Sequence, residues 1–400
     1  MESKQIFNRV KLNRNAIVWS SINAIVLFLL CYFIDNSPYS FLGEATVGQH
    51  IEQLKLYFQN SDDTIPSDLL LINVAYDRQL VEVNDEFEMP KGNIDITDRS
   101  KLINLLRQLE NSKYKYIILD VMFSDEYKTP DDTALFSLIA SMPNIVIPKS
   151  QNIKLANPRL VDMARYSDYS VHIAEYNFVK YEFVRNQENT IPYQVYRDLY
   201  GDSLKSFGPF YFFKGKLANK SVVLRHPVKL WNKYTASEDN DYKNATLYYN
   251  LGSEIIDMNL ELSDMADNKI IVIGDFTEND LHDTYLGKIS GPIININAFY
   301  ALENDDLTIP YWYVAFIIIL YFIISFFIIK RKSLFRHIIL IQNVNSKVIR
   351  YLAVSIGISA LLTIVAVILY LCFNLECNIL VPSIYFAILL AIIRYRDNNF

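Results

Sequence analysis

The sequence predicts an α/β domain, with a mixed, largely parallel sheet and flanking helices, held outside a membrane by four transmembrane helices. Three observations predict it: four windows nearly free of charge, a strand–helix–strand order between the first window and the second, and basic residues gathered beside the windows.

The first window, 16–34 (AIVWSSINAIVLFLLCYFI), has no charged residue and is long enough to cross a hydrocarbon core of about 30 Å. Its apolar run exceeds the roughly 7–15 residues of a signal-peptide core, and no small-x-small site follows it, so it reads as an uncleaved anchor. Windows two and three are Tyr311–Ile329 and Tyr351–Phe373, and the fourth is 377–393. That last window is short and contains Pro382, which a membrane helix tolerates where neighbours satisfy the freed backbone. Between the windows lie a 1–15 terminus, a 35–310 domain, a 330–350 loop and a 394–400 tail.

Orientation follows from Lys and Arg in the short flanks. Lys4, Arg9, Lys11 and Arg14 precede the first window, and Lys330, Arg331, Lys332 and Arg336 follow the second. Lys347 and Arg350 precede the third, and Arg394 and Arg396 follow the fourth, against only Glu2 and Asp397. Segment 35–310 carries 41 acidic and 26 basic residues, a net charge of −15. Both termini are therefore expected in the cytoplasm with the acidic domain outside. An even number of spans is then required, which supports counting the fourth window.

An acidic domain argues against nucleic acid as a partner, because phosphate binding needs a basic surface. Cys31, Cys372 and Cys377 all lie outside the acidic domain, so no disulfide is expected within it. The cores of the windows contain no Asp, Glu, Lys, Arg or His, the groups that transport pathways usually need. Ser355 and Ser359 form a small-xxx-small pair suited to helix packing.

Within the acidic segment, Val47, Ile51, Leu54 and Phe58 recur at helical spacing over 44–58. The run 69–75 (LLLINVA) is of strand length, and a polar stretch follows it to Gly92. Thr97 or Asp98 can cap a helix with Leu102, Ile103, Leu106 and Leu109 on its apolar face. Segment 116–121 (YIILDV) is a second buried strand, and this βαβ order makes the two strands parallel. Asp131 or Asp132 caps a helix through Leu135, Leu138 and Ile139, and 144–148 is a third strand. The middle is less regular, with strand candidates at 221–225 and 246–249 and a helix at 192–199. Segment 270–274 (IIVIG) is a core strand, 293–302 a helix or strand–helix pair, and Pro310 opens the second span.

Ligands of α/β folds sit at the carboxyl ends of strands, and several carboxylates fall there. Asp77 follows the first strand, Asp120 and Asp125 the second, and Asp275, Asp280 and Asp283 the IIVIG strand. Converging, they could bind a metal or catalyse phosphoryl or glycosyl transfer; the plainer reading is that they cap helices and tie loops. Arg99 heads the first long helix and suits either an anionic ligand or an ion pair. His282 adjoins Asp283, but His50, His172 and His226 show no metal-ligand spacing. No G-x-S-x-G, Walker A loop, G-x-G-x-x-G or paired C-x-x-C occurs. Asn244-Ala245-Thr246 fits a glycosylation acceptor, too short a signal to use.

An ordered set of stretches resembles the CHASE type 2 extracellular sensor domain over 44–306. The set is LLLINVAYD (69–77), TDRSKLINLLRQL (97–109), YKYIILDVMFSDE (114–126), Asp131-Asp132, YEFVR (181–185), LYYNLG (247–252), NKIIVIGDFTENDLHDTY (268–285) and GPIININAF (291–299). One preceding span and further spans afterwards also match that family. Two departures stand out: Asn297 occupies a position where the family commonly has His, and 92–96 replaces a stretch rich in Trp and Pro. Asp77, Arg99, Asp120, Gly274, Asp275 and Asp283 fall on recurring family positions.

The resemblance implies a sensor in a bacterial inner membrane, its domain in the periplasm. In that family the spans usually lead to a cytoplasmic kinase or cyclase, whereas this sequence stops at Phe400. The leading expectation is a receptor that detects a small ligand or envelope signal and relays it to a separate cytoplasmic or membrane partner. A structural or assembly subunit and an extracytoplasmic enzyme are the alternatives. The candidate ligand-binding residues are Asp77, Arg99, Asp120, Asp275 and Asp283. No catalytic residue, metal or cofactor is expected; the bilayer is an expected partner, and homo-oligomerisation is left open.

Overall fold

The computed structural model describes residues 2–37, 68–84, 87, 89–151, 153–167, 170–171, 178–223, 247–277, 279–284, 287–330, 347–373, 375 and 377–395. The helix read over 44–58, His50, His172, His226, the 244–246 tripeptide, and most of the 330–350 loop lie outside them.

A six-stranded sheet forms the centre. Its strands are β1 (Leu69–Asn73), β4 (Tyr116–Asp120), β5 (Ile145–Lys149), β6 (Ala164–Tyr166), β15 (Leu247–Asn250) and β16 (Ile270–Gly274), in the order β15-β1-β16-β4-β5-β6. Every pairing in it is parallel, and the antiparallel pairings of the domain lie in other, smaller sheets. Strands of LLLIN and IIVIG type are apolar on both faces because both faces are covered. Leu70, Ile72, Ile117 and Ile271 turn to one side and Leu69, Leu71, Ile118 and Val272 to the other, as the two-residue strand period requires.

Helices α2 (Arg99–Glu110) and α3 (Asp132–Ser141) cover the first face, burying Leu102, Leu106, Leu135 and Ile139. Asp98 caps α2, its side chain accepting from Lys101 N at 3.1 Å. Asp131 makes no side-chain cap on α3, while Asp132 accepts from Thr129 N and Oγ1. Helices α4 (Ile191–Tyr200) and α5 (Gly291–Glu303) cover the second face, and α5 is a continuous helix rather than a strand–helix pair.

The polar stretch after β1 folds as an antiparallel hairpin, β2 (Arg78–Asn84) with β3 (Pro90–Thr97). A mixed sheet joins β7 (Ser170–Val171), β8 (Phe178–Glu182), β14 (Ser221–Val223), β17 (Leu281–Thr284) and β18 (Gly287–Ser290). A short ladder, β9 (Val184–Arg185) with β10 (Glu188–Asn189), and a meander of β11 (Leu204–Phe207), β12 (Phe210–Phe213) and β13 (Lys216–Ala218) complete the domain.

Beneath it, α1 (Glu2–Asp35), α6 (Tyr311–Ile329), α7 (Lys347–Phe373) and α8 (Leu380–Tyr395) pack through Leu27, Ile317, Tyr321, Ile358, Leu362 and Phe386. Three of these helices, at Arg14–Asp35, Tyr311–Ile329 and Tyr351–Phe373, are long and apolar enough to cross a membrane. Helix α8 is apolar but has only 16 residues, about 24 Å at 1.5 Å per residue. Pro382 falls in its first turn, where a missing N–H costs no helical hydrogen bond. Pro310 caps α6 instead of occupying its first position. Ser359 donates to Ser355 O in its own helix, and Val354, Ile358 and Leu362 form the buried stripe of α7.

Candidate ligand cavity

The connection leaving β4 leads to α3 on one face of the sheet, and the connection leaving β16 leads to α5 on the other. The carboxyl ends of these paired strands therefore flank a topological switch point, where α/β sheets open a crevice. Gly274 ends β16 opposite Asp120. A Cβ at Gly274 would stand 2.5 Å from Pro292 Cγ and 3.2 Å from Asp120 Cβ, so glycine lets α5 seat against the strand end. A cavity of about 720 Å³ opens here, lined by residues of β3, β4, β9 and β17, the loop after β16, and the first turn of α5.

Two of the five candidate residues line it. Asp120 ends β4, and its Oδ2 accepts from Asn295 Nδ2 at 3.0 Å; Asn295 Oδ1 in turn accepts from Tyr181 Oη at 2.8 Å. Burial raises the pKa of the Asp120 carboxyl to about 7, the nearby Asp280 charge adding to the shift and the Asn295 hydrogen bond and His282 opposing it. Asp275 is fully engaged: Oδ2 accepts from Arg78 NH2 at 2.8 Å and from Asn279 Nδ2 at 3.0 Å, and Oδ1 from Thr277 N and Oγ1.

Asp77, Arg99 and Asp283 do not line the cavity. Asp77 is a buried tie: Oδ1 accepts from Lys101 Nζ at 2.7 Å and Oδ2 from Gly252 N at 3.0 Å, joining α2 to the π-helical turn Leu251–Ile256. A Cβ at Gly252 would fall 2.3 Å from Asp77 Oδ1, so that turn needs its glycine. Arg99 is buried with its Nε 3.6 Å from Asp132 Oδ1 and its guanidinium 4.6 Å from the Phe123 ring centroid. Burial lowers its pKa against the opposing pull of Tyr127 and Asp132. The ion-pair reading holds for Arg99, but with Asp132 and not with a strand-end aspartate. Asp283 is exposed on β17; strand alternation sends neighbours to opposite sides, so His282 lines the cavity and Asp283 does not. His282 Nε2 lies 3.0 Å from Asp280 Oδ1.

A family model described as the CHASE2 domain matches residues 42–329. The chain belongs to the CHASE2 domain family. CHASE2 domains form an extracellular sensor family, and the match reaches beyond the 44–306 stretch read from sequence to include α6. No curated protein and no solved structure matches the chain. Among the described residues, no group of three or more His, Cys, Asp or Glu side chains is placed to hold a metal ion. Asn297, standing where the family commonly has His, is buried on α5 with neither amide atom hydrogen-bonded; it does not line the cavity.

Sequence reasoning passed over Arg78, Arg185, Tyr127 and Asn295, all of which line the cavity. Asn295 carried a usable signal, as a polar residue inside the apolar run IININAF. Arg78 and Arg185 sit in short strands of mixed composition, where nothing local marks them.

The base of the CHASE2 domain is tied to the helices below. Tyr32 Oη, on α1, donates to Ala218 O and accepts from Tyr211 N, each at 2.9 Å. Asn36 Nδ2 donates to Asn219 Oδ1 at 2.8 Å, and its Oδ1 accepts from Lys220 N at 2.7 Å. The segment leading into α6 pairs with the same turn, Asn219 N donating to Leu307 O and Ile309 N to Leu217 O. Asn378, before α8, donates to Asp35 Oδ1 at 3.3 Å.

Proposed function

We propose that this CHASE2 protein is a sensory receptor that binds a small ligand in the strand-end cavity and relays its occupancy through the membrane helices to a separate partner. One observation carries the reading: the cavity wall and the helix leading to the second span share a residue. Asn295 holds Asp120 at the cavity and belongs to α5, which runs through the 307–309 strap into α6. A ligand that binds two arrangements of that wall with different affinity biases α6 by that difference. Binding is favoured over catalysis because Asp275 and Asp280 are already engaged by Arg78 and His282.

The reading includes four spans, an outward-facing domain and cytoplasmic termini in an inner membrane. The −15 domain and basic flanks support it, as do the exposed Trp312 and Tyr311 at the start of α6, where aromatic belts sit. Helix α8 is apolar, and Tyr385 Oη ties it to Asn23 of α1 at 2.9 Å.

The test is to tag the C-terminus, solubilise native membranes gently and identify what co-purifies. A single stoichiometric partner carrying a kinase, cyclase or effector domain is expected. Recovery of this chain alone, as a defined homo-oligomer, overturns relay to a separate partner.

A further inference from the structure

The cavity wall carries four carboxylates, Asp95, Asp120, Asp275 and Asp280, against two guanidinium groups, Arg78 and Arg185, and one imidazole, His282. Arg78 is taken by Asp275. Asp280 has His282 at 3.0 Å and sits on the N-terminus of α5: Gly291 N donates to its carbonyl, and a Cβ at Gly291 would fall 2.4 Å from its Oδ2. The helix dipole favours an anion at that place, and Asp280 already occupies the α5 N-terminus. Asp120 has a neutral donor, Asn295, on one oxygen, and neither Arg78 nor Arg185 pairs with it. A half-buried carboxylate without a cationic partner is costly. The lining also includes the apolar side chains of Ile94, Ile96, Val121 and Ile294.

Resting on the reading of the cavity as the ligand site, we infer that its ligand carries an organic ammonium group, a primary amine, amidine or guanidinium, which donates to Asp120 while a short aliphatic body lies against the isoleucine wall. A metal ion fits less well, since no metal-binding group is assembled among the described residues. The domain's net charge of −15 raises the local concentration of cations. The volume of about 720 Å³ is within the range of about 300–1,000 Å³ that holds small organic ligands.

The full chain in zwitterionic nanodiscs is tested by ligand-observed NMR at pH 8 with three matched series: four- to six-carbon alkylammonium ions, the corresponding alcohols and the corresponding carboxylates. The ammonium series should bind at least tenfold more tightly than the alcohols. Asp120→Asn should remove that preference and leave alcohol binding in place, and Ile294→Trp, which adds bulk to the cavity wall, should weaken both. The wild-type preference should also shrink as pH falls below 7, which gives an answer even if the Asp120 variant does not fold. Alcohols or carboxylates binding as tightly as ammonium ions, with sensitivity to Ile294→Trp, would overturn the ammonium inference and keep the ligand site. Absence of binding in all three series, or binding indifferent to Ile294→Trp, would overturn both.

Discussion

Replacing Asp120 by Asn should stabilise the protein at alkaline pH and lose that advantage in mild acid. The native fold holds the Asp120 proton up to about pH 7, whereas an ordinary aspartate releases it near 3.8. A carboxyl whose pKa is raised by folding penalises the native state once both forms are ionised, so stability falls as pH rises from about 4 to about 7. The full difference corresponds to about 4 kcal/mol, and solvent entering the cavity screens part of it, leaving about 2 kcal/mol. Asn cannot ionise, and its amide oxygen can still accept from Asn295 Nδ2, so the variant escapes the penalty and keeps the hydrogen bond. At about 2–4 °C per kcal/mol for a domain of this size, the variant's Tm should exceed the wild type's by about 5 °C at pH 8. The two should converge towards pH 4. Differential scanning calorimetry of both proteins in one detergent, across that range, reads the gap directly. A gap that does not change with pH, or a variant less stable at pH 8, would show that Asp120 is compensated in the native state and would refute the reasoning.

Two further substitutions separate the wall from the scaffold. Gly274→Ala should cost about 1–3 kcal/mol, because its methyl meets the rigid Pro292 ring at 2.5 Å; thermal unfolding checks the loss, and an unchanged Tm would show that α5 is free to back away. Asp77→Asn should destabilise by about 1–3 kcal/mol through the lost Lys101 pair and weakened Gly252 bond, yet leave cavity binding unchanged by NMR titration. Altered binding would return Asp77 to the ligand site.

The central strands were legible because a strand buried on both faces has nothing polar to interrupt it, and LLLIN, YIILD and IIVIG read that way. Their helices were legible from the spacing of Leu102, Leu106 and Leu109 and from the cap at Asp98. The hairpin was not, although Leu80, Glu82, Ile94 and Ile96 follow a two-residue period; Gly92 and the polar residues between them hid it. The second sheet buries Lys180 and Glu182, which composition assigns to the surface, so only tertiary pairing reveals those strands. Within the site, sequence placed aspartates at strand ends but not their directions. Asp120 and Asp275 look into the cavity, Asp77 looks back at Lys101, and one residue of strand phase separates His282 from Asp283.

The strap of residues 307–309 against the β13–β14 turn has a mechanical consequence. The C-terminal end of α1 and the entry to α6 are stitched to the same few peptide groups, so they share one pivot. Neither helix can slide along its axis past the other without breaking hydrogen bonds at that pivot. The permitted stroke is one in which both turn or tip together, like two rods fixed in a single yoke, and Asn378 couples the start of α8 to the same pivot through Asp35.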